Sequence, residues 1–355
     1  MTVQIKRICL EPYKLHLTQP LKTALCLLSD RSGIVIRVVD TENRVGLGEA
    51  APLAGFGMES LAETQVVLNT LQVELVGKEL SSLEDIASLL ANFSHVPAAK
   101  HGMELALCNL WAVAQNKSLA QVLNSYSRNI IAVNALIGGG LPEIAAVRAK
   151  ALVQQGYTCI KVKVGTDGAD CDWQRVAAVR AAIGKQIQIR LDANQAWSVE
   201  EAIAQIEQFE SLDIEYVEQP VAASDLAGMA MVRRSVGIAI AADEAITNIN
   251  ALRQAISHQA ADIAIIKPMA MGGILTARKA AYIALEAGMD VVFTTTIDGA
   301  IARLGALHLA ASIPEVTRAC GLATGELLAT DLLPTFPIPE RGAIWLRLEP
   351  ACQPR

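Results

Sequence analysis

The stretch Cys159-Ile160-Lys161-Val162-Lys163-Val164 decides the fold, because it sets two lysines at alternate positions of a short apolar run. β-Branched residues favour strands, and side chains two residues apart point to the same side of a strand. Charged groups on such a strand are costly unless they are paired or bind a ligand. The run therefore predicts a buried strand whose last residues belong to a functional site.

Comparable apolar runs recur on both sides of this one, and most of the alanine-rich segments between them are long enough for a helix. The runs are Ile130–Ala135, Ile187–Asp192, Tyr216–Glu218, Ile238–Ala242, Ile263–Ile266 and Val291–Thr294. Strands that alternate with crossover helices form a parallel sheet, and the count approaches the number that closes a barrel. We therefore predict a β–α barrel over residues 126–320.

The regions before and after the predicted barrel have a different pattern. Residues 3–40 are rich in strand and turn signals, whereas residues 59–125 are helical in character, so residues 1–125 are predicted to form an α+β domain. The segment 321–355 does not continue the β–α pattern and is expected to run back over the first domain. Its prolines are Pro334, Pro337, Pro339 and Pro350.

Composition excludes several classes of protein. The chain has 355 residues, of which 52% are hydrophobic and 19% charged, with a net charge of −6 and no basic run, so nucleic acid is not an expected partner. Charged residues interrupt the apolar stretches before they reach the length of a membrane span, and the start lacks the apolar core of a signal peptide. The seven cysteines are scattered, without a Cys-x-x-Cys pair. We expect a cytoplasmic protein with reduced cysteines.

Acidic and basic residues stand at the ends of successive predicted strands. Asp192, Glu218, Asp243 and Lys267 each follow an apolar run, and neighbours in this series, counted from Lys163, lie 24 to 29 residues apart. That spacing equals about one β–α unit. In a closed barrel the carboxyl ends of the strands meet at one mouth, where barrel enzymes keep their active sites. These side chains are therefore predicted to meet there.

The three carboxylates Asp192, Glu218 and Asp243 are predicted metal ligands. Held together at one mouth they would repel one another, and a hard divalent cation removes that repulsion. Ligation by oxygen alone selects Mg²⁺ or Mn²⁺, and no histidine or cysteine stands at a matching strand end to favour zinc.

The lysines on either side of these carboxylates suit proton abstraction. Lys161 and Lys163 point to one face, and Lys267 would come from the opposite side of the barrel. A lysine acts as a base only when it is neutral, and a neighbouring ammonium and a divalent cation both lower its pKa. Two lysines beside a metal-bound substrate carboxylate would remove the adjacent proton while positive charge stabilises the enediolate.

Five short motifs resemble the ordered motifs of the enolase superfamily, in particular its muconate-lactonizing subgroup. They are Lys161-Val-Lys163, Leu191-Asp192-Ala193-Asn194, Val217-Glu218-Gln219-Pro220, Ala242-Asp243-Glu244 and Ile266-Lys267-Pro268. The resemblance implies an N-terminal α+β capping domain, a modified TIM barrel of (β/α)₇β form and one Mg²⁺ per subunit. It implies that Lys163 and Lys267 work on opposite faces of a small-molecule carboxylate substrate, with Lys161, Asn194 and Glu244 in supporting positions. It points to a homo-oligomer without fixing its size.

Within this subgroup, four segments resemble the o-succinylbenzoate synthases of menaquinone biosynthesis. They are Gly48–Glu59, Arg190–Trp197, Thr294–Asp298 and Gly321–Leu328. The third departs from the serine-rich Ser-Ser-Ile-Glu form that the family often has. The resemblance implies substrate contacts by Gly55, Phe56, Thr296 and Asp298.

That family resemblance implies a specific reaction. Lys163 would take the proton next to the carboxylate of 2-succinyl-6-hydroxy-2,4-cyclohexadiene-1-carboxylate, and syn loss of the hydroxyl would yield the aromatic 2-succinylbenzoate. Lys267 would stay protonated over the ring face.

Two other reactions on the same scaffold stay open. A dipeptide epimerase or N-acylamino acid racemase would pass a proton between Lys163 and Lys267, and a dipeptide epimerase needs acidic residues for the substrate ammonium. Asp298, Glu326 and Asp331 are candidates for that role. Muconate cycloisomerase has less support. A non-catalytic metal-binding relative is disfavoured, because all five chemical positions carry the residue types that catalysis needs.

Overall fold

A computed structural model describes residues 2–22, 27–54 and 56–346 of the chain. The strands are β1 (Val3–Lys22), β2 (Leu27–Asp40), β3 (Val45–Ala50), β4 (Glu79–Leu80), β5 (Ile130–Ala132), β6 (Ala135–Ile137), β7 (Cys159–Lys163), β8 (Gln188–Asp192), β9 (Ile214–Glu218), β10 (Ala239–Ala242), β11 (Ile263–Ile266), β12 (Asp290–Phe293) and β13 (Ala343–Trp345). The helices are α1 (Leu61–Leu75), α2 (Leu83–Leu89), α3 (Pro97–Ala114), α4 (Leu119–Leu123), α5 (Pro142–Gln154), α6 (Ala169–Ile183), α7 (Val199–Phe209), α8 (Leu226–Ser235), α9 (Ile249–Ser257), α10 (Ile274–Glu286) and α11 (Ala300–Ser312).

The strands β6 to β12 form a parallel sheet in chain order, and each is followed by one of the helices α5 to α11. Cys320 forms a parallel bridge with Val133, and Gly321 forms one with Thr294, so this short segment joins the two edges of the sheet. The predicted (β/α)₇β barrel is confirmed.

The barrel strands are apolar because both of their faces are covered. All four residues of β11 are buried, which is the pattern of a strand between a barrel interior and an outer layer of helices. Helix α11 is buried along almost its whole length, since it packs on α3 and β3 as well as on the barrel. Among the helices of the described residues, none combines the length and the apolar character that crossing a membrane requires.

A second, antiparallel sheet lies in the first part of the chain, with the order β3-β2-β1-β4. Helix α3 packs on β3 and β2, as expected of a capping domain of α+β type. The segment after the barrel contacts β1, where Leu328 bridges Leu17 and the backbone N–H of Ala329 donates to the carbonyl of His16 at 2.8 Å. Residues 347–355 of the predicted returning segment lie outside the described residues.

The run Ile130–Ala135 was expected to form the first barrel strand, and this expectation is wrong. Its first three residues form β5, which pairs antiparallel with β13, and the first barrel strand is β6. The exposure of Ile130 and Ala132 explains the difference, because a barrel strand is covered on both faces. Two short β-branched runs in succession look alike in the sequence, and only their partners distinguish them.

Candidate active site

Three buried carboxylates lie on adjacent strands at the carboxyl end of the barrel. Asp192 ends β8 and is paired in register with Glu218, which ends β9. Asp243 directly follows β10, two residues beyond Ala241, the register partner of Glu218. The three residues are 1%, 1% and 4% exposed, respectively. Such burial is uncommon for carboxylates unless they are paired or bind a cation.

Two lysines of β7 contact these carboxylates. Lys163 is the register partner of Asp192, and its Nζ lies 2.7 Å from Asp192 Oδ2. The Nζ of Lys161 lies 2.9 Å from the same oxygen and 2.8 Å from Glu218 Oε1. The alternation along the strand therefore brings both ammonium groups to one side of the barrel interior.

Burial and the neighbouring charges shift the pKa values of Asp192, Glu218 and Lys161 in different directions. Burial alone would raise the pKa of Asp192, but Lys161 and Lys163 hold the pKa of this carboxyl well below its usual range. Burial and the neighbouring Asp192 raise the pKa of Glu218. Burial lowers the pKa of the Lys161 ammonium, yet Asp192 and Glu218 outweigh this effect and raise it above its usual value. The neighbouring ammonium of Lys163 was expected to lower the pKa of Lys161, but the two carboxylates raise it instead.

Lys267 follows β11 and approaches from the other side of the carboxylate row. Its ammonium contacts Asp243 Oδ1. The ring of Phe56 lies over the same ammonium, with its centroid 4.3 Å from Nζ, a distance typical of a cation–π contact. Phe56 belongs to the capping loop, which we define as residues 51–59. Gly55, the other predicted residue of this loop, lies outside the described residues.

Asn194 and Glu244 connect the two halves of the site. The ammonium of Lys163 donates to Asn194 Oδ1, and Asn194 Nδ2 donates to Glu244 Oε1 at 3.1 Å. The other oxygen of Glu244, Oε2, is buried and has no hydrogen-bond partner among the described residues. An unsatisfied buried carboxylate oxygen is costly, so this atom is suited to accept a donor from a bound molecule.

The segment after β12 is turned toward the capping domain. Thr296 Oγ1 donates to Asp298 Oδ1 at 2.5 Å, and both residues are buried. The same oxygen lies 3.9 Å from the guanidinium of Arg31 in β2. Asp331 contacts Arg303 and accepts the backbone N–H of Ala300 at 2.7 Å. These two acids are therefore already paired with arginines of this chain, whereas the third candidate, Glu326, is exposed.

Several residues with unfavourable backbone conformations lie at the same strand ends. Four of the nine described residues other than glycine that have positive φ lie just beyond β8, β9 and β12. They are Asn194 (43°), Gln195 (68°), Gln219 (40°) and Ile297 (59°). Left-handed backbone is unfavourable for such residues, above all for a β-branched isoleucine, and it persists where surrounding contacts hold it. These four positions therefore lie at the carboxyl end of the barrel, beside the buried carboxylates and lysines.

The three carboxylates are chemically suited to bind a hard divalent cation. Asp192, Glu218 and Asp243 supply six carboxylate oxygens, which are the ligands that Mg²⁺ prefers. Throughout residues 2–22, 27–54 and 56–346, no three Asp, Glu, His or Cys side chains are grouped closely enough to hold a metal ion. The carboxylates are turned toward Lys161, Lys163 and Lys267 instead. Binding would require them to exchange ammonium partners for the cation.

Two supporting residues were missed by the sequence reasoning. Gln219 is fully buried, and its Oε1 accepts the backbone N–H groups of Asp243 at 3.0 Å and Ala245 at 3.2 Å. Arg175 of α6 donates to the carbonyl of Lys163 at 2.9 Å. Gln219 lies within the motif Val217-Glu218-Gln219-Pro220, so the sequence could have indicated its role. Arg175 lies within a helix, where nothing in the sequence distinguishes it from other arginines.

Comparisons with known proteins agree with this arrangement. Residues 144–350 match the family described as "Enolase C-terminal domain-like", and residues 6–110 match "MenC, N-terminal domain". The chain is 32% identical over 325 residues to the L-Ala-D/L-Glu epimerase of Bacillus subtilis, covering 89% of this chain and 87% of that protein. It is 36% identical over 222 residues to the o-succinylbenzoate synthase of Thermobifida fusca, covering 62% of this chain and 68% of that protein.

The fold is similar to that of solved structures over nearly the whole chain. The dipeptide epimerase of Enterococcus faecalis, complexed with Mg and the dipeptide L-Leu-L-Tyr, superposes with a TM-score of 0.90 at 28% identity and covers 98% of each chain. The family match extends over more than half of the chain, and the relatives are enzymes. The chain is therefore an enzyme of the enolase superfamily.

Proposed function

We propose that this enzyme is an o-succinylbenzoate synthase, which dehydrates 2-succinyl-6-hydroxy-2,4-cyclohexadiene-1-carboxylate to 2-succinylbenzoate in menaquinone biosynthesis. The proposal is supported by the similarity of residues 6–110 to the MenC N-terminal domain and by the o-succinylbenzoate synthase relative. Epimerase relatives cover more of the chain, so the distinction depends on the residues that face the substrate.

One observation carries the choice between these substrates. Asp298 and Asp331, which could receive the ammonium of a dipeptide, are engaged by Arg31 and Arg303. The Lys267 ammonium lies under the Phe56 ring of the capping loop. This arrangement favours a carboxylate substrate that has no ammonium group of its own.

In the proposed reaction, Lys163 and Lys267 have different roles. Lys163 takes the proton from the carbon next to the substrate carboxylate and returns a proton to the hydroxyl that leaves on the same face, so that water departs and the ring becomes aromatic. Lys267 stays charged on the other side and stabilises the negative charge that develops. Lys161 and Asn194 keep Lys163 in place through Asp192 and through the direct contact of Asn194 with its ammonium.

We assign Asp192, Glu218 and Asp243 as the ligands of Mg²⁺, with Mn²⁺ as a chemically equivalent substitute. When bound, the cation would supply positive charge beside the substrate carboxylate and so make the adjacent carbon–hydrogen bond more acidic. The substrate partner is a small carboxylate.

A second candidate function is 1,1-proton transfer, as in a dipeptide epimerase or an N-acylamino acid racemase. The observation that favours it is the placement of Lys163 and Lys267 on opposite sides of the carboxylate row, with Lys163 at β7 and Lys267 after β11. A proton could then be removed by one lysine and replaced by the other.

The test is a turnover panel with purified protein and Mg²⁺. We expect formation of 2-succinylbenzoate from the cyclohexadiene, no formation with Lys163→Ala, and no epimerisation of dipeptides. N-succinyl amino acids in the same panel would reveal a racemase side activity. Turnover of dipeptides without turnover of the cyclohexadiene would overturn the proposal in favour of the epimerase.

A further inference from the structure

We propose that Arg31 is a positioning residue that holds the capping loop against the strained end of the seventh barrel strand. Arg31 lies in β2 and is only 2% exposed. Its guanidinium donates to the carbonyls of Ala51 at 2.6 Å and Pro52 at 3.0 Å, the first two residues of the capping loop. Its Nε donates to the carbonyl of Ile297, which lies 266 residues away in the chain, at 3.2 Å.

The far side of this contact is the strained segment after β12. Ile297 has a φ of 59°, a conformation that a β-branched residue adopts only when neighbouring groups hold it. The Arg31 Nε–H satisfies the carbonyl of this residue, and the guanidinium also faces Asp298 at 3.9 Å. Arg31 therefore joins two segments that the chain does not connect locally.

Arg31 affects the site through the position of Phe56. This residue follows Pro52 by four positions, and its ring covers the ammonium of Lys267. Because Arg31 fixes the start of the loop relative to β12, it also sets where the Phe56 ring can lie above Lys267. The inference rests on the proposed function only in taking Lys267 to face the substrate.

The geometry requires an arginine. A guanidinium has donors on three nitrogens in one rigid plane, and here each nitrogen reaches a different carbonyl. A lysine ammonium keeps the charge but has a single nitrogen, so it cannot bridge all three carbonyls at once. Arg31→Lys is therefore the informative variant, because it retains the buried charge while breaking the bridge.

The experiment combines kinetics with hydrogen–deuterium exchange. KM and kcat for the cyclohexadiene are measured for wild type, Arg31→Lys, Phe56→Leu and the double variant. We expect Arg31→Lys to raise KM about tenfold, since it loses hydrogen bonds to a charged donor, with a smaller change in kcat. If Arg31 acts through Phe56, the same change in the Phe56→Leu background should raise KM by less than about threefold.

Exchange of the peptide that covers residues 51–59 needs no substrate. Arg31→Lys should exchange at least about threefold faster there than wild type, because the loop opens locally more often. The matched control is Arg303→Lys, an equally buried arginine that contacts Asp331 and Phe336 and has no hydrogen bond or ion pair to a described residue of the capping loop. It should leave exchange of the loop unchanged.

A second variant covers the case in which Arg31→Lys does not fold. Arg31→Gln removes the buried charge and leaves a single donating nitrogen, which cannot bridge all three carbonyls, and it should also speed exchange of residues 51–59. The inference would be overturned if exchange of the loop were unchanged in the folded variants. It would also be overturned if the increase in KM of the double variant equalled the product of the increases caused by Arg31→Lys and Phe56→Leu alone. If wild type fails to turn over the cyclohexadiene, the proposed function fails, and the exchange measurement still decides the role of Arg31.

Discussion

Oε1 of Glu49 lies 2.6 Å from the backbone nitrogen of Gly299, which is 250 residues away in the chain. Oε2 of the same carboxyl accepts the N–H of Ala302 at 2.9 Å, so a residue of β3 caps the N-terminus of helix α11. Glu104 of α3 acts in the same way on α10 through the N–H of Leu275 at 2.8 Å. Two buried glutamates of the capping region thus dock onto two barrel helices.

This docking predicts a pH-dependent stability. Burial outweighs the hydrogen bonds to Glu49 and raises its pKa to about 7. A raised carboxyl pKa stabilises the folded state fully below the unfolded pKa, about 4.5, and this contribution is lost as the pH rises through 7. The loss corresponds to about 3 kcal/mol. We expect the stability of wild type relative to Glu49→Gln to fall by about that amount between pH 5 and pH 8.

Urea unfolding at the two pH values measures this difference. Burial also raises the pKa of Glu104 to about 7, so Glu104→Gln should show the same sign. Exposed Glu11→Gln serves as the control and should show no comparable change. A difference between wild type and Glu49→Gln that stays constant from pH 5 to pH 8 would contradict the prediction.

The metal assignment predicts three equivalent losses. Asp192→Asn, Glu218→Gln and Asp243→Asn should each weaken Mg²⁺ binding and lower kcat by about 100-fold or more, because each removes a charged oxygen ligand. Calorimetric Mg²⁺ titration measures the binding, and chelation followed by Mg²⁺ addition should abolish and restore activity. Glu215→Gln changes an acid on the same strand as Glu218 but at its opposite end, and it should bind Mg²⁺ as wild type does. Wild-type Mg²⁺ affinity in the three ligand variants would refute the assignment.

The two lysines should respond differently to arginine. Arginine keeps the charge but cannot act as a base, so Lys163→Arg should lose about 10²- to 10⁴-fold in kcat for the dehydration. Lys267→Arg should retain more activity than Lys163→Arg, since a guanidinium can still lie beneath the Phe56 ring as a cation. Steady-state kinetics with 2-succinylbenzoate detection compares the two variants. Equal losses in both would indicate that each lysine moves a proton, as a 1,1-proton transfer requires.

Gln219 is predicted to hold Asp243 in place. Gln219→Ala would leave the buried N–H groups of Asp243 and Ala245 without their acceptor, at a cost of about 1–3 kcal/mol in the free energy of unfolding. It should also weaken Mg²⁺ binding by about 10- to 100-fold, as loss of a supporting hydrogen bond does. Urea unfolding and Mg²⁺ titration measure the two effects. Exposed Gln154→Ala should change the free energy of unfolding by less than about 0.5 kcal/mol, and an equally small effect of Gln219→Ala would remove the assigned role.

The barrel and the residues of its mouth could be predicted because their pattern is local. The lysines at 161 and 163 alternate along a single strand, and the acids at 192, 218 and 243 repeat once per β–α unit. Strand periodicity and the parallel direction of the units then bring them to one end. The structure brings these side chains into contact across β7, β8 and β9, while their roles as ligands and base stay predictions.

The partners of residues that are far apart could not be predicted in this way. Ile130–Ala132 pairs with a strand more than 200 residues away and not with the barrel, because pairing depends on which edge is free in the fold. In the same way, nothing near Asp298 in the chain indicates that the Arg31 guanidinium lies 3.9 Å from its carboxyl.

By itself, the sequence determined the barrel and the set of carboxylates and lysines at its mouth, since hydrophobic periodicity and unit length act within about 30 residues. Only the tertiary structure decided which of the acids are free to meet a substrate. Arg31 and Arg303 engage Asp298 and Asp331, while Phe56 covers Lys267. These contacts join segments from separate parts of the chain, and a buried charge is satisfied by whatever group the fold brings within a few ångströms.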